Sequence, residues 1–201
     1  MKPRDRDFIS LYNALWYKDF PVAHGHEDIG RRAVWTTHIA SVVKQCADLM
    51  GLFTYFESGN RTDAVIQKAS RSNWAKVEWE WENPANKSVN ELGKLAAASD
   101  DAETMIFIGY SCIGQKHSKN MIGSKHEKNM EKIALSWKDI DTLLLVFLVT
   151  FDYVGKGKER IRHFIELETH KFWGFGKHKT VRTQKALPWQ VKDTKWEASI
   201  I

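Results

Sequence analysis

The chain has 201 residues, enough for one domain with a full hydrophobic core, and its composition of 43% hydrophobic and 27% charged residues is typical of a folded protein rather than a disordered one. Its net charge of +5 permits a polyanionic partner without requiring one. The longest apolar run, Leu143–Phe151, is too short to cross a membrane, and no apolar segment follows the charged N-terminus, so neither a membrane protein nor a secretory signal is expected.

Two helices are predicted first in the chain. Apolar residues recur at helical spacing over 7–17, and a loop containing Pro21 and Gly25 follows. The second helix is predicted over 28–50, with Asp28 as an N-cap residue and a glycine directly after its last turn.

Short segments rich in β-forming residues then predict a sheet. Strands are expected over 52–57, 63–69, 74–82 and 103–111, with a helix over 86–98 before the last of them. From residue 28 the order is therefore helix, three strands, helix, strand. The continuous apolar centre of the strand at 103–111 is typical of a strand buried on both faces.

The second half of the chain extends this sheet. It predicts a polar loop over 113–128, a helix over 129–138, strands over 142–153 and 161–172, and an aromatic and glycine-rich tail. The expected fold is α/β: one domain with a mixed central β-sheet flanked by helices, with a core at 28–111 and additional elements at 112–201.

The predicted hairpin around residues 70–73 concentrates acidic side chains. Its register places Asp63 opposite Glu80 and Val65 opposite Glu78. Because side chains alternate along a strand, Lys76, Glu78, Glu80 and Glu82 are expected on one face.

Carboxylates crowded in this way repel one another, and a bound cation removes the repulsion. Mg²⁺ or Mn²⁺ prefers oxygen ligands, and either ion can activate water for phosphodiester hydrolysis. The pattern has a second interpretation, because a solvent-exposed sheet face carrying Lys and Glu would have the same sequence.

Residues 28–111 resemble the catalytic core of the PD-(D/E)XK, or restriction-endonuclease-like, nuclease superfamily. Its motif is an aspartate at the start of the second strand and (Asp/Glu)-x-Lys on the third, matched here by Asp63 and by Glu78-Trp79-Glu80. The resemblance implies a nuclease in which Asp63, Glu78 and Glu80 bind Mg²⁺ or Mn²⁺ and serve in catalysis. Thr62 replaces the proline of the motif, and Glu80 replaces its lysine.

The missing lysine has three candidate substitutes. Lys76 shares the acidic face and is favoured, while Lys68 lies on the neighbouring strand and Lys94 on the following helix. An ion pair between Lys76 and Glu78 on the surface is the simpler interpretation of that lysine. Glu57, just before a turn, is a further candidate metal ligand.

Basic segments surround this acidic hairpin, at Lys116–Lys132, at Lys156 and Lys158, and at Lys177–Arg182. These segments are predicted to be loops, and their positive side chains suit contacts to the phosphate backbone of a nucleic acid. The expected partner is therefore nucleic acid, with double-stranded DNA favoured, and the chain is a possible homodimer. The alternative function is a catalytically inactive nucleic-acid-binding or regulatory protein with the same fold.

The two cysteines, Cys46 and Cys112, are far apart and lie in no Cys-x-x-Cys motif. This argues against a zinc finger and against a disulfide framework. Free thiols fit the reducing cytoplasm, which is the expected location.

Overall fold

The computed structural model describes residues 2–21, 32–58, 62–79, 91–114, 125–155 and 161–197. These ranges hold four α-helices: α1 (Pro3–Leu15), α2 (Arg32–Leu49), α3 (Glu91–Ala97) and α4 (Lys125–Ser136). They also hold seven strands: β1 (Phe53–Ser58), β2 (Thr62–Gln67), β3 (Asn73–Trp79), β4 (Thr104–Cys112), β5 (Leu143–Val154), β6 (Ile161–Trp173) and β7 (Lys177–Lys185).

All seven strands form one mixed sheet in the order β1-β2-β3-β4-β5-β6-β7. Strands β3, β4 and β5 run parallel to one another, whereas the other neighbours are antiparallel. The predicted α/β class with a mixed sheet is confirmed. Every residue of β4 is buried, as its apolar sequence predicts for the centre of such a sheet.

A hydrophobic core lies on each face of the sheet. The larger core packs α1 and α2 on one face and includes the fully buried side chains of Trp16, Trp35 and Phe147. The smaller core packs α3 and α4 on the other face and includes Phe107 and Trp137. Among the residues that the structure describes, no helix is long and apolar enough to cross a membrane.

The first helix is longer than predicted and begins at Pro3. The carboxylate of Asp5 accepts a hydrogen bond from the Lys2 backbone N–H at 3.0 Å, which caps the first turn. The same side chain accepts a hydrogen bond from the Thr104 hydroxyl at 2.9 Å. The charged sequence at this end of the chain is therefore part of the fold, tied to the start of β4.

Two segments predicted as loops contain regular structure. Helix α4 begins at Lys125, inside the expected loop at 113–128, and ends at Ser136. The basic segment Lys177–Arg182 belongs to β7, which pairs with β6 and forms one edge of the sheet. Its side chains are mostly exposed, so the alternation that marks a half-buried strand is absent from its sequence.

The hairpin register differs from the predicted one by two residues. Val65 lies opposite Lys76, and Ala64 opposite Val77, with an irregularity between Ile66 and Gln67. A shift of two residues leaves every side chain on its predicted face, because the alternation along a strand also has a period of two. Asp63 and Glu78 therefore remain on the face expected from the sequence.

Candidate metal site

Three carboxylates meet at the carboxyl-terminal end of β3, on the sheet face that carries α3 and α4. They belong to Asp63 on β2, Glu78 on β3 and Glu91 at the start of α3, and one oxygen from each lies within 4.8 Å of the others. We call this group the three-carboxylate site. Pairing between β2 and β3 brings the first two together, and the packing of α3 against β3 and β4 adds the third.

Glu78 is the most deeply buried member, with 1% of its surface exposed. This finding excludes an exposed, charge-decorated strand as the explanation of Glu78. Its Oε2 atom is buried and has no hydrogen-bond partner among the described residues. The nearest cationic atom, Lys94 Nζ, lies 3.7 Å away, so this oxygen has an ion-pair partner but no hydrogen-bond donor, which is costly for a buried carboxylate.

Asp63 is held in place by the backbone of the neighbouring strand. Its Oδ2 atom accepts a hydrogen bond from the Trp79 N–H at 2.7 Å. Burial raises the pKa of Asp63, and this hydrogen bond partly opposes that effect. The aspartate is therefore oriented before any ligand binds.

The pKa of Glu78 is raised to about 9. Burial is the largest cause, followed by the adjacent carboxylates of Glu91 and Asp63. A cation bound among the three groups would reverse this effect, because it favours the charged form of each.

Among the described residues, Lys94 is the cation that contacts this site. Its Nζ atom lies 3.7 Å from Glu78 Oε2, and it also forms an ion pair with Glu91. Burial acts to lower the pKa of Lys94, but the neighbouring carboxylates outweigh it and raise the pKa above its ordinary value. Lys94 is therefore charged at neutral pH.

The other predicted site residues lie elsewhere or outside the described ranges. Lys76, the favoured lysine, contacts Asp101 at 2.6 Å instead of Glu78. Glu57 is exposed, has a backbone φ of 50°, and is not one of the three clustered carboxylates. Lys68 pairs with Glu103. Glu80 lies outside the described residues, so its role as a metal ligand or catalytic base remains a prediction.

The donor set fits a hard divalent cation. All three side chains offer oxygen atoms, the ligands preferred by Mg²⁺ and Mn²⁺, and Lys94 contacts only two of the three carboxyl groups. Sequence reasoning missed Glu91, although its spacing of three residues from Lys94 on a helix was a usable signal.

A second cluster of polar side chains lies on the same sheet face and was not predicted from the sequence. Glu168 Oε2 lies 2.8 Å from His170 Nε2 and 3.5 Å from His126 Nε2, beside a cavity of about 490 Å³. The two Nδ1 atoms contact the hydroxyls of Thr180 and Ser111 at 3.1 Å and 3.0 Å. Every imidazole nitrogen of this pair has a neighbour, so the four side chains and Glu168 form a closed polar network.

The raised pKa of Glu78 gives a testable pH dependence in EDTA. At neutral pH the folded protein holds a proton on Glu78, whereas the unfolded chain, with an ordinary pKa of 4.5, has released it. This contribution to stability is complete below about pH 4.5 and is lost as the pH rises through about 9. We expect the free energy of unfolding, measured by urea denaturation, to fall across this range.

Glu78→Gln is expected to flatten that pH dependence and to make the metal-free protein more stable at alkaline pH. Glu166→Gln removes an equal charge from β6, where the side chain is 36% exposed, and should keep the wild-type slope. An unchanged slope in Glu78→Gln would contradict the assignment of the titration to this residue.

No protein-family model and no curated protein sequence matches the chain. Among solved structures, the YaeQ protein from Xanthomonas axonopodis pv. citri is similar with a TM-score of 0.31 and 8% sequence identity. The similarity covers 76% of this chain and 78% of that one. A TM-score this low does not establish a shared fold.

Proposed function

We propose that the protein is a divalent-metal-dependent nuclease that hydrolyses phosphodiester bonds, with DNA as the expected substrate. The observation that carries the proposal is the gathering of the buried Glu78 carboxyl with those of Asp63 and Glu91, whose combined charge the single ammonium of Lys94 neutralises only in part. Acidic metal ligands next to a lysine are the groups that phosphodiester hydrolysis needs, because negative charge develops on the phosphate oxygens.

The arrangement of the elements supports a restriction-endonuclease-like core. Helix α2 is followed by the antiparallel strands β1, β2 and β3, then by α3, and then by β4 parallel to β3. This is the order that the resemblance to PD-(D/E)XK nucleases implies. Asp63 is the second residue of β2 and Glu78 lies on β3, the strands to which the motif assigns these two acidic residues.

In the proposed mechanism, Asp63, Glu78 and Glu91 would hold Mg²⁺ or Mn²⁺. The ion would supply Lewis acidity and lower the pKa of a water bound to it. The Trp79 N–H keeps Asp63 oriented, and Lys94 presents a positive charge to the phosphate oxygens. Lys94 thus takes the role expected of the lysine that Glu80 replaces in the motif.

The test is incubation of the full chain with single-stranded DNA, plasmid and linear duplex DNA in Mg²⁺ or Mn²⁺. We expect cleavage by the wild type, and Asp63→Asn should reduce it by more than about a hundredfold, because loss of a ligand exceeds the effect of losing an outer-shell partner. Asp101→Asn, an exposed acid beside β3, is the matched control and should retain cleavage.

The alternative is a binding protein without catalysis, favoured by the glutamate at the lysine position. It predicts salt-dependent affinity for nucleic acid and no cleavage with any cation. Binding without cleavage would therefore overturn the nuclease proposal and support the alternative.

A further inference from the structure

Strand β1 forms the sheet edge next to the three-carboxylate site and exposes large aromatic side chains. Phe53 is 55% exposed and Tyr55 is 48% exposed. The segment from Leu52 to Phe56 carries no charged side chain. Edge strands that face solvent usually carry charged side chains, which prevent pairing with other chains. An exposed apolar edge strand without charges therefore indicates an interaction site.

The two rings lie on the sheet face that holds the three-carboxylate site. Tyr55 pairs with Val65, and Val65 pairs with Lys76, so all three share one face. Asp63 is two residues from Val65, and Glu78 is two residues from Lys76, which keeps both carboxylates on that face. We call Phe53 and Tyr55 the stacking surface.

The spacing of the stacking surface indicates what it binds. Residues two apart on a strand are separated by about 6.8 Å, twice the roughly 3.4 Å between successive bases in a duplex strand. Tyr55 lies opposite Val65, and Val65 is two residues from Asp63 on β2. The Cα atoms of Tyr55 and Asp63 are therefore roughly 8 Å apart. Phe53 and Tyr55 therefore form a row that points toward the metal site. The distance between the two residues suits bases that are no longer stacked on each other.

We propose that Phe53 and Tyr55 stack with unpaired bases of a single-stranded nucleic acid whose backbone passes into the three-carboxylate site. This inference rests on the proposed nuclease function and names its substrate class. Bases inside a duplex are covered on both faces by their neighbours, so only unpaired bases can stack on aromatic side chains. The preferred substrate is single-stranded, in place of the double-stranded DNA expected from the sequence.

A second copy of the chain is the competing occupant of β1. Pairing along the edge of β1 would satisfy its free backbone groups. Such pairing covers the edge of the strand, whereas Phe53 and Tyr55 project from its face, and Tyr55 is the ring nearer to Asp63. Continuity with the three-carboxylate site therefore favours the nucleic acid.

The test is the anisotropy of a short fluorescein-labelled oligothymidylate titrated with the full chain in EDTA, so that binding is measured without cleavage. We expect Phe53→Ala and Tyr55→Ala each to weaken binding roughly 5- to 150-fold, the effect of losing one stacked base. Tyr55→Trp should retain affinity, and Tyr55→Leu should lose it. An unlabelled duplex of the same length should compete poorly.

Phe56→Ala is the matched control. Phe56 is 42% exposed on the same strand but points to the other face, where its ring contacts Trp79. Its removal should leave the affinity unchanged. Thermal denaturation of each variant shows whether it is folded, and Tyr55→Trp against Tyr55→Leu provides a comparison that does not depend on the alanine variants.

Unchanged affinity in Phe53→Ala and Tyr55→Ala, no binding of the oligonucleotide, or equal competition by the duplex would each overturn the inference. A wild-type dimer that Tyr55→Ala dissociates in sedimentation would assign β1 to a second copy instead. Stacking-dependent binding without cleavage would support the inference while contradicting the nuclease function, so the two failures are distinguishable.

Discussion

Glu78→Gln is expected to abolish Mn²⁺ binding at the three-carboxylate site while leaving the protein folded. Glutamine keeps the size of the side chain but removes the charge that a divalent cation requires. Glu78 is the buried centre of the site, so no solvent-exposed group can replace it. Isothermal calorimetry should detect Mn²⁺ binding by the wild type and none by the variant, and DNA cleavage should fall by more than about a hundredfold.

The same substitution has the opposite effect on the metal-free protein. Removing a buried carboxyl with a raised pKa relieves repulsion from Asp63 and Glu91, so Glu78→Gln should be more stable than the wild type in EDTA at alkaline pH. Excess Mn²⁺ should stabilise the wild type alone. A variant that is destabilised in EDTA and still binds Mn²⁺ would show that Glu78 is a structural residue.

Much of this site could be predicted because short-range patterns define it. Asp63 and Glu78 were identified from a turn, strand alternation and hairpin spacing. The observed hairpin register differs from the predicted one by two residues. The Lys68 N–H donates a hydrogen bond to the Ser72 carbonyl, which closes the turn, and Arg71 adopts a φ of 63° within it. The faces were still correct, because a two-residue shift preserves the alternation.

The remaining parts depend on packing between distant segments. Glu91 joins the site only because α3 packs against β3 and β4, an arrangement that strand spacing does not encode. His126 and Glu168 are likewise brought together by α4 and β6. Strand β7 was missed because an exposed edge strand needs no apolar face, and its basic sequence resembles a loop.

These packing relations also decide which lysine serves the site. Sequence alternation favoured Lys76, which does share the sheet face of Glu78. In the structure its Nζ atom lies 2.6 Å from Asp101, whereas Lys94 reaches Glu78 from α3. The two lysines therefore differ in what they contact, and substitution of each shows which one serves in catalysis.

Lys94→Met is expected to lower DNA cleavage by about 10²- to 10³-fold, the usual effect of removing one group that stabilises developing negative charge. Methionine matches much of the aliphatic length of lysine without its charge, and Mn²⁺ affinity should not decrease, because the lost group is a cation. Lys76→Met is the matched control and should cleave at nearly the wild-type rate. Lys94→Arg should recover part of the activity, since the charge returns with a different shape. If Lys76→Met is inactive and Lys94→Met is active, the catalytic lysine is the one on β3, and the ion pair between Lys94 and Glu91 serves only to anchor α3.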